Sequence, residues 1–126
     1  MAAGWLTGLP LRIGFGRSAP EHDPWRFDAR RLAEAGEADL VVWVSAFGDP
    51  PPDWLSRFPA IILGEALATS APRHVTIPVG RPGLDHDAIL FERRTGTLVQ
   101  KSATAPVAAP SVAEVLDRIA ARLGPA

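Results

Sequence analysis

Residues 40–44 read Leu40-Val41-Val42-Trp43-Val44, an unbroken apolar run of strand length dominated by valine. Such a run does not alternate between apolar and polar residues, so it offers no face suited to water. It fits a strand covered on both sides, as in a parallel sheet clothed by helices. Gly36 closes the segment before it, and Gly48-Asp49-Pro50-Pro51-Pro52 breaks the chain sharply after it. Two similar runs follow: Ala60-Ile61-Ile62-Leu63, punctuated by Gly64, and His74-Val75-Thr76-Ile77, stopped by Pro78. Three short apolar strands predict an α/β fold with an incomplete, doubly wound sheet. The connectors after Phe47 and Leu63 are brief for full crossover helices. On this reading Leu40, Val42, Val44, Ile61, Leu63, Val75 and Ile77 are buried, with Leu116 and Ile119 covering them. Val42→Asp is then expected to unfold the chain, since an unpaired buried carboxylate costs several kcal/mol, on the order of the whole stability margin.

The flanking segments carry their own punctuation. Residues 11–15 alternate weakly and predict a short strand. Asp23-Pro24 marks a helix start, with Asp28 as an alternative cap one turn later. Trp25, Ala29, Leu32 and Ala33 share a helical face, and the helix is expected to end near Ala35, before Gly36. Residues 53–58 allow about one helical turn before Pro59. Residues 88–92 and 98–101, joined through Thr95-Gly96, read as a β-hairpin in which glycine tolerates a positive φ. Residues 102–110 are an Ala/Pro/Thr linker. The C-terminal helix is the clearest element: Ser111-Val112-Ala113-Glu114 spells a capping box, Val112, Val115, Leu116, Ile119 and Leu123 form an apolar stripe, and Gly124-Pro125 stops it. The chain therefore divides into a lead-in and helix (1–36), sheet and hairpin (37–101), linker (102–110) and helix (111–124), within one domain.

Composition narrows the possible functions. The chain has 126 residues, enough for a single modest core, and a net charge of −1. That balance argues against nucleic acid or an anionic membrane as a partner held by bulk charge. No apolar run approaches the roughly 20 residues that span a bilayer. The first residues lack a basic n-region and a full apolar h-region, so a cytoplasmic location is expected. There is no cysteine. Disulfides, thiol nucleophiles and thiolate metal ligands are thereby excluded from this chain.

Candidate chemistry is sparse. Gly14, Gly16 and Ala19 match a dinucleotide-loop spelling, but Pro20 follows and no helix opens there to meet a pyrophosphate. His22 and His86 sit in acidic clusters (Glu21-His22-Asp23 and Asp85-His86-Asp87) that read as solvated turns. No spacing pre-arranges two histidines as metal ligands. His74 opens a strand and is expected at the surface. Ser45 ends the central strand, where open α/β sheets place their ligand crevice, but no base is assigned to it and no serine elbow surrounds it. Trp5, Trp25, Trp43 and Trp54 are scattered and fit packing better than base stacking. Arg12, Arg17, Arg26, Arg30 and Arg31 make the first third locally basic; a solvated face with salt bridges is favoured over an anion site.

Several stretches together carry a resemblance. These are Trp5-Leu6-Thr7-Gly8-Leu9-Pro10-Leu11-Arg12, Gly14-Phe15-Gly16-Arg17, and Pro20-Glu21-His22-Asp23-Pro24-Trp25-Arg26-Phe27-Asp28-Ala29. Gly36-Glu37-Ala38-Asp39, Ile77-Pro78-Val79-Gly80 and Pro82-Gly83-Leu84-Asp85-His86 complete the set. The chain resembles the C-terminal part of the B subunit of formylmethanofuran dehydrogenase and, more narrowly, the related B-type protein of the methylotroph formyltransferase/hydrolase complex. The Glu-His-Asp-Pro-Trp-Arg run is the most specific piece. The resemblance implies a small, mostly parallel, Rossmann-like sheet as in a molybdopterin oxidoreductase domain, with a β-hairpin and a C-terminal helix, forming the C-terminal domain of a longer subunit. It implies tetrahydromethanopterin-linked one-carbon metabolism, formaldehyde towards formate, with other complex subunits as partners. The dehydrogenase's molybdopterin or tungstopterin centre takes its cysteine ligands from regions with no counterpart here, so no cofactor and no metal is assigned to this chain. No catalytic residue carries over. The loops 47–53 and 78–85 match the family's cleft-forming loops in placement, which makes Ser45, Phe47, Asp49, Pro78, Gly83 and Asp85 the candidate cofactor-facing residues. The expectation is a non-catalytic subunit or fragment. Part of a pterin-dependent dehydrogenase and a free-standing small-ligand domain are the alternatives.

Overall fold

The computed structural model describes residues 13–14, 21–65, 71–92 and 94–124. Strand β1 (Ile13–Gly14) pairs antiparallel with β2 (Glu21–His22). The remainder of the expected 11–15 strand lies outside the described residues, as do residues 16–19 of the dinucleotide-loop spelling. Helix α1 (Ala29–Glu34) follows, then β3 (Val41–Ser45), a 3-10 turn (Asp53–Arg57), β4 (Ala60–Gly64) and β5 (His74–Pro78). The hairpin strands β6 (Ala88–Glu92) and β7 (Thr97–Lys101) and helix α2 (Val112–Leu123) complete the order.

The three apolar runs form a parallel sheet in the order β3-β4-β5. Val41 is in register with Ala60, and Ala60 with His74. Short crossovers suffice because each strand has only five residues. In place of a full helix, the β3–β4 connection uses the 3-10 turn, whose Leu55 is fully buried. The hairpin forms as expected, and Gly96 takes φ 67° at its turn.

Successive residues of a strand point to opposite faces, so this register sorts the side chains. One face carries Val41, Trp43, Ala60 and Ile62, packed beneath Ala33 of α1 and Leu55. Trp54 meets Trp43 edge to face at 6.4 Å and Phe58 at 6.2 Å, sealing the margin of this layer. The other face carries Ile61, Leu63 and Ile77, covered by Val112, Val115 and Ile119 of α2. Ile62 and Leu63 are both completely buried, so the enclosed middle strand is β4, and the 40–44 run expected to be central is an edge strand.

The expected burial fails at the sheet's margins. Val42 and Val44 share the α2 side with Leu63, yet they are 46% and 49% exposed, and Val75 on β5 is 58% exposed. Leu40, just before β3, and Leu116 on α2 are exposed as well. The physical reason is that one 12-residue helix covers the middle strand and part of β5 but leaves the β3 margin bare. An apolar run records that a strand wants cover. It does not record whether the same chain supplies it.

Capping decides the helix boundaries. Asp28, the alternative cap, starts α1 by accepting the Arg31 N–H at 2.9 Å. Asp23 instead closes a preceding turn, accepting from Trp25 N and Arg26 N. Trp25 and Ala29 consequently face solvent, in correction of the expected apolar face, while Ala33 is buried. At α2 the capping box forms in full: Glu114 N donates to Ser111 Oγ, and Ser111 N donates to the Glu114 carboxylate at 2.7 Å. Residues 102–110 are fastened to the 80–85 turn. Gly80 N donates to Pro110 O, Ala105 N to Leu84 O and Val107 N to Asp85 O.

Candidate functional site at the strand ends

In a parallel sheet all strands end on the same side, and the loops leaving them converge there. The ends of β3, β4 and β5 are Ser45, Gly64 and Pro78, held in register. Ser45 and Gly64 are tightly apposed: a Cβ built on Gly64 would lie 2.9 Å from the Ser45 carbonyl oxygen. Glycine is required here because the two backbones leave no room for a side chain. Val79 N donates to Gly64 O at 3.0 Å and carries the ladder one residue past β5.

The candidate residues divide between two loops. Ser45 is buried, and its hydroxyl donates to the Asp49 carbonyl, closing the turn through Gly48, whose φ is 83°. That hydroxyl serves the loop's own backbone and faces no base. Phe47, in the same turn, projects into solvent. Pro78 ends β5. Asp85 caps the following turn, accepting the Arg81 N–H through Oδ2 at 2.7 Å. Gly83, buried with φ 75°, packs against Lys101 and Leu90 and so faces the hairpin, away from the strand ends.

The two loops are joined by residues that no sequence motif singles out. Glu65 and Arg81 form an ion pair that bridges the end of β4 to the loop after β5. Gly48 packs against both: a Cβ there would meet the Glu65 carboxylate at 3.3 Å and the Arg81 guanidinium at 3.8 Å. Arg81 Nε is buried and has no hydrogen-bond partner among the described residues. The available signal was positional, since each residue stands directly after a glycine at or just past the end of a strand. His86 adds a second tie, with Nε2 3.2 Å from the Gly80 carbonyl and Nδ1 3.0 Å from the Asp87 carbonyl.

Around α1 and the 3-10 turn, several charged groups are committed to structure. Arg26 pairs with Glu21, Arg31 with Glu37, and Arg30 and Arg57 both reach Glu34, at 2.8–2.9 Å. Hydrogen bonds from Arg30 and then Arg57 hold the Glu34 carboxyl below its ordinary range, and Arg31 does the same for Glu37. The basic first third is thus a solvated, salt-bridged face where it is described; Arg12 and Arg17 lie outside the described residues. His74 is half-buried, not at the surface as expected, with Nε2 3.1 Å from the Leu55 carbonyl. Among the described residues no three His, Asp or Glu side chains are grouped to hold a metal ion.

These features define an α/β unit with a short parallel sheet, whose strand-end loops are cross-linked by an ion pair and backbone hydrogen bonds. No protein-family model matches the chain. The chain is a homologue of the B subunit of the formyltransferase/hydrolase complex Fhc of Methylorubrum extorquens, to which it is 41% identical over 94% of its own length. It spans 35% of that relative's length. The fold agrees with the crystal structure of the FhcABCD complex of the same organism, solved with methylofuran: TM-score 0.78 and 40% identity, covering 96% of this chain and 35% of that one. No helix among the described residues is long and apolar enough to cross a membrane.

Proposed function

We propose that this chain is a non-catalytic, assembly-forming component of a formyltransferase/hydrolase-type complex, acting in tetrahydromethanopterin-linked one-carbon metabolism from formaldehyde towards formate. The homology to the Fhc B subunit over 94% of the chain carries the reading. The strand-end loops support it. A nucleophile needs a base within hydrogen-bond reach, whereas Ser45 Oγ is spent on a loop carbonyl and Arg81 is held by Glu65. The wider kinship with the B subunit of formylmethanofuran dehydrogenase belongs to the same proposal, with pterin chemistry supplied by other regions or chains.

Co-purification tests the proposal. The tagged chain, co-expressed with the other three components of a formyltransferase/hydrolase complex, is expected to be retained with them and to show no formyl transfer or hydrolysis by itself. Turnover by the purified chain alone would overturn the non-catalytic reading. Stoichiometric molybdenum or tungsten bound to it would favour the dehydrogenase reading instead. A monomer that ignores all three components yet binds a small metabolite would favour a free-standing ligand domain.

A further inference from the structure

We propose that the outer edge of β3, with the apolar strip Leu40-Val42-Val44 beside it, is a docking surface for a strand-and-helix segment of the polypeptide that makes up the rest of a full-length B subunit. This inference rests on the homology reading above. Three observations converge on it.

The first is the backbone. Val41 N donates to the Pro59 carbonyl, so Val41, Trp43 and Ser45 face β4 in the ladder. In a parallel pair alternate residues bond to one neighbour, which turns the N–H and C=O groups of Val42 and Val44 away from β4. Among the described residues no strand pairs with that edge. The second is the side chains. Leu40, Val42 and Val44 lie on one face of the strand, 46–49% exposed. Free edges are normally guarded by charge, proline or a bulge. β3 carries no charged residue and no proline, whereas the opposite edge strand, β5, begins with His74 and ends with Pro78. The third is length. The chain covers 35% of the relative it matches, so most of that relative is polypeptide that this chain does not contain. An added strand would satisfy the open backbone groups, and a helix following it would cover Val42 and Val44 as α2 covers Leu63.

The test is capture of the remainder of the subunit. The Methylorubrum extorquens B subunit lacking the stretch matched by this chain is co-expressed with the tagged full chain, as wild type and as the Val44→Lys and Ala120→Lys variants. Ala120 is exposed on α2 and belongs neither to the strip nor to the cluster buried beneath the helix. Expected are equimolar capture by wild type and by Ala120→Lys, and at least a tenfold loss with Val44→Lys, which still unfolds cooperatively with its melting temperature lowered by only ~4–8 °C. Amide exchange at Val42 and Val44 is expected to slow at least tenfold on capture. Capture by Val44→Lys equal to wild type overturns the inference. So does failure of the wild-type chain to capture, or self-association through Val44 in place of capture. If Val44→Lys still joins the other three components of the complex as wild type does, only this surface assignment falls; if wild type joins none of them, the proposed function falls with it.

Discussion

Replacing Ile62 and Val42 separates a sheet enclosed throughout from one enclosed only at its centre. The two residues stand on adjacent strands of one sheet. Ile62 is completely buried between Ala33, Leu55, Val41 and Ala60, while Val42 is 46% exposed. Ile62→Ala removes three carbons from a packed layer, and such truncations cost ~2–5 kcal/mol, the upper part where the walls cannot close in. Trp43, Trp54 and Phe58 wall this layer with large rings that have little freedom to collapse, so a loss of ~3–4 kcal/mol is expected. At ~4 °C per kcal/mol for a domain of this size, the melting temperature falls by ~12–16 °C. Val42→Asp leaves its carboxylate in contact with water. It forfeits about half of a valine's ~1.5–2 kcal/mol of burial together with some strand preference, ~1–2 kcal/mol in all. Thermal unfolding of the isolated chain, followed by circular dichroism, distinguishes the cases. If Val42→Asp unfolds the chain outright, or costs more than Ile62→Ala, β3 is covered on both faces and the account of an open margin is wrong.

Other consequences can be measured on the same material. Ser111→Ala removes the reciprocal cap of α2 and should cost ~1 kcal/mol, visible as fraying of the helical signal before the main transition. Gly64→Ala places a methyl 2.9 Å from the Ser45 carbonyl oxygen; parting β3 from β4 should cost ~1–3 kcal/mol, and an unchanged melting temperature would contradict the close apposition. The Glu34 carboxyl is held below its ordinary range by Arg30 and Arg57, so its contribution is complete above the unfolded value and is lost as the pH falls through the lowered folded one. Glu34→Gln should therefore flatten the acid side of the stability profile, and because the group is exposed the change should be small and vanish in high salt.

Local chemistry was legible where neighbours in sequence are neighbours in space. The Ser111–Glu114 box, the Gly96 turn and the three strand runs all follow from residues a few positions apart. What escaped was decided across the fold. Val42, Val44 and Val75 look the same in sequence as Ile61, Leu63 and Ile77, and only the placement of α2 separates the bare from the covered. Trp25 reads as a core residue if helical spacing starts at Asp23, but Asp28 wins the cap and leaves the indole outside, stacked with the Arg31 guanidinium at 5.1 Å. Ser45 and Asp49, offered as cofactor-facing residues, instead meet each other, the serine hydroxyl donating to the Asp49 carbonyl. The Glu65–Arg81 bridge, 16 positions apart, has no local signature beyond its place after two glycines.

The fastening of residues 102–110 to the 80–85 turn has a mechanical outcome. This proline-rich strap runs straight into the first turn of α2, so the helix is tethered at its root to the loop leaving β5. Any force that tilts α2 is transmitted along the strap to the Arg81 turn, and through its ion pair to the far end of β4. Helix and strand-end loops should thus yield as one unit: the amides of Gly80, Ala105 and Val107 are expected to exchange hydrogen in step with those of the helix.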